Sequence, residues 1–291
     1  MYLEHLANTW NGLAELDPMW AVLMKPGCEH NRWDARAFFE TGRADIVHVL
    51  HKTCHLPFPL RRGRALDFGC GVGRLSQALA VYFDHVDGVD IAPAMIRQAR
   101  AFNPYGDRCA FHVNARDDLS QFESNQFDLV LSLLVFQHMR ADYAKRYLAE
   151  LVRVLAPGGL LLFQQPTHYS PQPATVAAAT PQHWFWDPVE RLAHCAYDVI
   201  TPPPKRPRRG FDYSSITYPR YTYSPPRLSV ESLRLDASPS DISAVPIAET
   251  HTIPRWRVML HLRRLGTKVI GVEPREECTP HHPSLRYYAT K

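Results

Sequence analysis

Followed as a pattern of apolar and polar positions, the chain becomes regular near residue 64, where short apolar runs begin to alternate with amphipathic stretches. RALDFG reads as a first strand, and GRLSQALAVYF as the helix after it, with Leu75, Ala78, Leu79 and Tyr82 at helical spacing. VDGVDI predicts a second strand, APAMIRQARAF a second helix, CAFHVN a third strand and FDLVLSLL a fourth. ADYAKRYLAELVRVL places Tyr147, Leu148, Leu151, Val152 and Leu155 on one helical face; Pro157-Gly158-Gly159 then separates it from a fifth strand, GGLLLFQQ. Strands separated by amphipathic helices predict a parallel sheet wrapped by helices.

Outside this stretch the texture differs. Before residue 64 there are two helix candidates, near 34–41 and 43–53, punctuated by Thr41-Gly42, so residues 1–60 read as an N-terminal helical cap on a core of 61–165. Residues 166–250 hold fourteen of the chain's 25 prolines and break the alternation. Order returns with RWRVMLHLRRL, a helix candidate, followed by TKVIGVE and LRYYATK, two strand candidates. Elements able to complete the sheet therefore follow the proline-rich block, which makes 166–250 an insertion and 251–291 the closing part of the core.

Composition narrows the class. Of 291 residues, 45% are hydrophobic and 21% charged, ordinary globular usage that excludes a wholly disordered or fibrous chain. A net charge of +4 is a mild basic bias and argues against nucleic acid as the partner. MYLEHLANTW lacks the basic start and apolar run of a signal peptide, and no segment has the apolar length of a membrane span, so a soluble cytoplasmic protein is expected. The six cysteines form no C-x-x-C pair, which argues against a disulfide framework or a zinc site. The sequence assigns no oligomeric state.

The chemistry is concentrated in ALDFGCGVGRL. A strand that ends in G-x-G-x-G at the start of a helix removes side chains where backbone must approach a ligand and leaves helix N–H groups pointing outward. The dinucleotide fingerprint G-x-G-x-x-G is the competitor, but its third glycine would fall at Arg74. Asp90, at the end of the second strand, is placed to accept hydrogen bonds from ribose hydroxyls, a feature both nucleotide-binding classes share. On their own, glycines at such a junction can simply allow a tight turn.

Taken in order, DFGCGVGRL, GVDIAPAMI, FDLVLSLLVFQHM and LVRVLAPGGLLLF resemble the motifs of the class I S-adenosylmethionine-dependent methyltransferases, over roughly 60–165. The final helix with two strands resembles that fold's terminal antiparallel hairpin. The resemblance implies an α/β, Rossmann-like methyltransferase sheet, mostly parallel and flanked by helices, with S-adenosylmethionine as cofactor and S-adenosylhomocysteine as product. It implies that Asp67, Gly69, Cys70, Gly71 and Gly73 border the methionine part of the cofactor, Asp90 the ribose, and Ile91 and Met95 the adenine. Ile91 and Met95 are equally readable as core residues, and Cys70 as a small packing residue rather than a nucleophile. Asn114, Arg116, Asp117 and Asp118 compete for the loop after the third strand, with Asn114 and Asp117 preferred for adenine. Ser132, ending the fourth strand, would offer backbone to the methionine amino group.

Methyl transfer needs alignment and a dehydrated pocket, with a general base where the acceptor arrives protonated. His138 is the first candidate base, Gln137 beside it could orient an acceptor, and His251, in ETHTIPRW, is the second candidate base. The competing reading makes Gln137 and His138 helix caps or cofactor contacts. Ligands of open α/β sheets bind beyond the carboxyl ends of the strands, where the insertion begins, so 166–250 is expected to form a substrate lid. Its aromatic residues, Trp184, Phe185, Trp186, Tyr213, Tyr218, Tyr221 and Tyr223, would enclose an acceptor or form a small core of their own. The same choice, closing over cofactor or docking a helix, applies to Trp33, Phe38 and Phe39. Lys205, Arg206, Arg208 and Arg209 read as a solvated basic loop or a phosphate contact. The expected function is transfer of a methyl group to oxygen or nitrogen of a small-molecule acceptor. The alternatives are a methyltransferase acting on protein or RNA and a cofactor-binding scaffold without turnover.

Overall fold

A computed structural model of the chain describes residues 2–54, 56, 58–167, 250–275 and 284–291. Nearly all of the insertion, with its aromatic residues and basic loop, lies outside the described residues. So does residue 278, the last cysteine; Cys28, Cys54, Cys70 and Cys109 are free thiols.

Seven strands form one sheet: β1 (Arg64–Phe68), β2 (His85–Asp90), β3 (Cys109–Val113), β4 (Phe127–Ser132), β5 (Leu155–Pro166), β6 (Lys268–Arg275) and β7 (Ser284–Thr290), in the order β3-β2-β1-β4-β5-β7-β6. The first five pair in parallel, while β7 runs antiparallel to both β5 and β6. The helices are α1 (Tyr2–Leu16), α2 (Pro18–Val22), α3 (Ala35–Thr53), α4 (Arg74–Leu79), α5 (Pro93–Ala101), α6 (Ala141–Val154) and α7 (Arg255–Arg264). No helix among the described residues is long and apolar enough to cross a membrane.

Both faces of the sheet are buried, as a parallel sheet requires. One face, with Leu66, Val130, Leu161 and Phe163, packs on Leu148 and Leu151 of α6 and on Val258 and Leu262 of α7. The other, with Ala65, Leu129, Leu131 and Leu162, packs on Ile46, Val49 and Leu50 of α3 and on Leu75 and Leu79 of α4. A third cluster joins Leu13 and Ala14 of α1 to Trp33, Phe38, Val72 and Met95. Trp33 and Phe38 are thus core residues, and the Trp33 indole N–H donates to the Leu23 carbonyl at 3.1 Å.

Two local expectations are corrected. The separate helices at 34–41 and 43–53 are one helix, α3, running through Gly42. A Cβ at Gly42 would collide with the backbone of Arg74, so the glycine permits close helix approach and does not break the helix. The helix expected over 73–83 stops at Leu79, where Arg108 Nη2 donates to the carbonyls of Ala80 (2.7 Å) and Phe83 (3.3 Å) and the chain turns into β2. Finally, α1 and α2 fall within the helical cap expected over 1–60, in a segment where the sequence pattern predicts no individual helix.

Candidate active site

The strand order reverses direction between β1 and β4, and the loops leaving the carboxyl ends of these two strands meet there. This is the crevice where open α/β sheets bind ligands. The β1 loop has left-handed backbone at Gly69, Gly71 and Gly73, with φ of 77°, 53° and 83°. A side chain at Gly69 would collide with Val135 of the β4 loop; at Gly71 a Cβ would come to 2.6 Å of Val22, and at Gly73 to 2.7 Å of Phe111. The glycines are required by conformation and by close packing together.

Two acids organise this loop. Asp67, fully buried at the end of β1, accepts a hydrogen bond from Ser76 Oγ of α4 at 2.6 Å. Burial pushes its pKa up to about 6, against the opposing pull of Ser76 and Arg74. Asp90, at the end of β2, accepts from the Gly71 N–H at 2.9 Å with one oxygen and from the Ala92 N–H at 2.9 Å with the other. Burial raises its carboxyl pKa as well, although those backbone donors favour the charged form. Cys70 is buried between the two carboxylates; burial and their charge push its thiol well above the ordinary value, as befits a packing residue.

Arg74, occupying the position where a dinucleotide fingerprint has glycine, is buried and bonds back to α3 through Asp45 (2.7 Å) and Thr41 (3.1 Å). On the other side of the loop, α1 approaches. Asn11 Oδ1 accepts from the Ala94 N–H at the start of α5, at 2.9 Å. Met95 is buried beneath α1, whereas Ile91, on the loop from β2, is half-buried. Asn114 is buried: its N–H donates to the Asp90 carbonyl, and its amide holds the carbonyls of Arg116 and Asp118. Asp117 is half-exposed and ion-paired with Arg146 of α6.

At the end of β4, Ser132 is fully buried and its hydroxyl has no hydrogen-bond partner among the described residues. The following loop carries left-handed Leu134 (φ 63°) and a single 3-10 turn, Phe136–His138. Gln137 Nε2 lies 2.9 Å from His138 Nε2, while the buried Gln137 Oε1 has no partner among the described residues. The His138 ring meets Trp10 of α1 edge-on at 4.9 Å, and Tyr2 reaches the same turn, donating to the His138 carbonyl and accepting from the Arg140 N–H. His251, 113 residues later in sequence, donates its N–H to the Gln137 carbonyl at 2.6 Å, and Gln165 of β5 donates to the His251 carbonyl at 3.3 Å. The three candidate catalytic residues therefore share one locus.

The site residues that sequence reasoning missed are Trp10, Asn11 and Val22, all on α1 and α2, and Val135. Only the weak amphipathic repeat of α1 could have signalled the first two. Among the described residues no group of His, Cys, Asp and Glu is arranged to hold a metal.

Comparison with known proteins agrees with this geometry. Residues 66–163 match the family model described as a methyltransferase domain. The chain is 34% identical over 127 residues to the 2-methyl-6-phytyl-1,4-hydroquinone methyltransferase of Synechocystis, a match covering 43% of this chain and 38% of that one. It is 34% identical over 104 residues to the ubiquinone biosynthesis O-methyltransferase of Xylella fastidiosa, covering 35% of this chain and 42% of the relative. The chain thus spans well under half the length of these two curated relatives. In overall fold it is similar to magnesium protoporphyrin IX methyltransferase from Synechocystis, solved with bound S-adenosylhomocysteine: the TM-score is 0.54 at 17% identity, with 99% of each chain covered.

Proposed function

From a chain whose residues 66–163 are a methyltransferase domain on the class I, S-adenosylmethionine-dependent fold, we propose that the whole protein transfers a methyl group to oxygen or nitrogen of a small-molecule acceptor. One observation carries the reading: three left-handed glycines and an oriented Asp90 carboxylate converge at the sheet's switch point. The buried, unpartnered hydroxyl of Ser132 and amide oxygen of Gln137 add polar groups that a ligand would satisfy. One of the named relatives, the ubiquinone biosynthesis O-methyltransferase, supports an oxygen acceptor in particular. A cytoplasmic location and the absence of a nucleic-acid partner belong to the same reading; the mild net charge of +4 supports the second.

In this assignment Asp90 holds the ribose hydroxyls, and Gly69, Cys70, Gly71 and Gly73 offer backbone to the methionine portion, with Asp67 bracing the loop through Ser76. Ile91 and Met95 flank adenine, the loop of Asn114 and Asp117 closes its edge, and Ser132 faces the methionine amino group. S-adenosylmethionine supplies an electrophilic methyl on a sulfonium, open to in-line displacement. Gln137 orients the acceptor. Where the Gln137 amide is the donor in its 2.9 Å contact with His138 Nε2, the His138 proton sits on Nδ1 and Nε2 carries the lone pair. An acceptor hydroxyl or ammonium that replaces the amide there gives up its proton to His138. His251 fixes the loop through its backbone N–H and stands as the second candidate base.

Calorimetry with S-adenosylmethionine and S-adenosylhomocysteine, run beside a donor-consumption assay over phenols and amines, tests the reading. Binding plus turnover is expected; binding without turnover of any acceptor would make the protein a scaffold. His138→Ala should lower turnover roughly 100-fold, the usual scale of a general base, and abolish the acid limb of the pH profile. Unchanged turnover across pH would remove the base from the mechanism.

A further inference from the structure

Apart from the donor site, β7 carries three buried side-chain atoms with no hydrogen-bond partner among the described residues: Ser284 Oγ, Arg286 Nε and, on the opposite face, Tyr287 Oη. Ser284 and Arg286 are two residues apart on one strand and project from the same face of the sheet. Ser284 is fully buried and Arg286 is 3% exposed, yet neither Ser284 Oγ nor Arg286 Nε has a hydrogen-bond partner. Register sets them beside Pro166 and Gln164, at the carboxyl end of β5. Gln164 is itself buried.

The obvious partner for Arg286 is Glu273, directly across on β6. That carboxylate is engaged elsewhere: Lys52 of α3 pairs with one oxygen at 3.3 Å, and the Tyr288 hydroxyl donates to the other at 3.2 Å. Arg286 lies against the Tyr288 hydroxyl, a neutral group that burial and Glu273 keep protonated. Among the described residues Arg286 forms no ion pair with a carboxylate. A guanidinium does not discharge by losing a proton, so this is a buried cation that no carboxylate among the described residues neutralises.

We propose that Arg286 and Ser284 bind an oxyanion, a carboxylate or phosphate, carried by the methyl acceptor; the inference rests on the methyl-transfer reading above. The open Nε edge of a guanidinium is shaped for two-point recognition of such a group, and a serine hydroxyl beside it supplies a third donor. The position fits an acceptor of small-molecule size. β7 lies two strands, roughly 10 Å, from β4, whose carboxyl end carries Ser132 and leads to Gln137; the register puts Arg286 and Ser284 on the sheet face opposite to Ser132, so an acceptor reaching both would cross the carboxyl edge of the sheet. An acceptor held at both ends is aligned before it reacts, which is the main requirement of an in-line displacement.

The test uses the full chain loaded with S-adenosylhomocysteine, titrated separately with benzoate and with inorganic phosphate. Binding is followed at the Arg286 side-chain Nε–H by nuclear magnetic resonance. Each productive probe should shift that signal, and the tighter one identifies carboxylate or phosphate as the group recognised. Arg286→Met, which keeps the apolar stem, should weaken probe binding roughly tenfold or more, and Ser284→Ala by a smaller factor, with affinity for S-adenosylhomocysteine unchanged in both. Without anions Arg286→Met should melt at or above the wild-type temperature, because it removes a buried unpaired charge. Arg286→Lys keeps the charge but not the two-point edge and should bind at an intermediate level. The proposal is overturned if neither probe moves the signal, if Arg286→Met binds both probes normally, or if that variant melts lower while Arg286→Lys binds like wild type. Failure of the wild type to bind S-adenosylhomocysteine would instead strike the methyl-transfer reading, and the probe titrations would still answer for Arg286.

Discussion

Asp67 shows how one residue under a ligand loop couples folding to pH. Its carboxyl is buried, bonded to Ser76, and raised from 3.8 to about 6 chiefly by loss of water. With the folded value above the unfolded one, the native protein holds the extra proton between those pH values. The stabilisation is fully present below 3.8 and is lost as pH rises through about 6. For a group this buried, a rise from 3.8 to about 6 corresponds to about 3 kcal/mol. Urea unfolding from about pH 4 to about pH 7 should therefore show wild-type stability falling relative to Asp67→Asn, which mimics the neutral acid. Parallel curves for the two proteins would mean that the Asp67 carboxyl does not titrate in this range. The position of Asp67 before the glycines was legible from the motif; its pKa was not, because desolvation depends on α4 and on Asp90 packed around it.

At the scale of elements, α3 and α4 are locked by a glycine and an arginine that read differently in sequence. Gly42 reads as a helix break, yet it lies inside α3 with the Arg74 carbonyl where its Cβ would be. The Arg74 side chain then closes the junction on Asp45 and Thr41. In an exposed helix interior, Gly→Ala stabilises by about 1 kcal/mol. Here Gly42→Ala should destabilise by about 1–3 kcal/mol, because overpacking forces the two helices apart. Thermal unfolding gives the sign directly, and a higher melting temperature would refute the packing account. The weak pattern of α1 hid a second functional element. Its Trp10, Asn11 and Tyr2 are polar or amphipathic residues that engage the α5 terminus and the His138 turn, so the helix shows no broad apolar face.

For the whole molecule, the two ends of the proline-rich segment are the informative feature. Thr167, at its start, and Ile253, shortly after it, lie beside the same strand: the Ile253 N–H donates to the Pro166 carbonyl at 3.0 Å, and the Arg255 N–H reaches Thr167 Oγ1 at 3.3 Å. Ends this close can be joined by a short linker at little entropic cost. Deleting 176–245 with such a linker should leave S-adenosylhomocysteine binding intact and abolish methylation, if the segment is the acceptor lid. Calorimetry and the donor-consumption assay measure both; loss of both properties would sink the lid assignment. The return segment also bears on the candidate base, because His251 donates to Gln137 and links the end of the insertion to the turn that holds His138.

The features already written in the order of residues are local in origin. The alternation of apolar runs and amphipathic stretches specified β1 to β5 and the helices between them, and the spacing in ALDFGCGVGRL and VDGVDI specified a left-handed glycine loop and the acid that bonds to its backbone. Such signals depend on residues within one or two turns of each other, so periodicity and backbone freedom expose them. It took the folded chain to establish that Gly42 admits Arg74, that α1 reaches the His138 turn, that His251 arrives at Gln137, and that Glu273 is occupied by Lys52 while the buried Arg286 meets no carboxylate among the described residues. Each of these joins segments far apart in the chain. Whether a buried charge or a close contact is satisfied depends on strand register and helix placement, which no local pattern encodes.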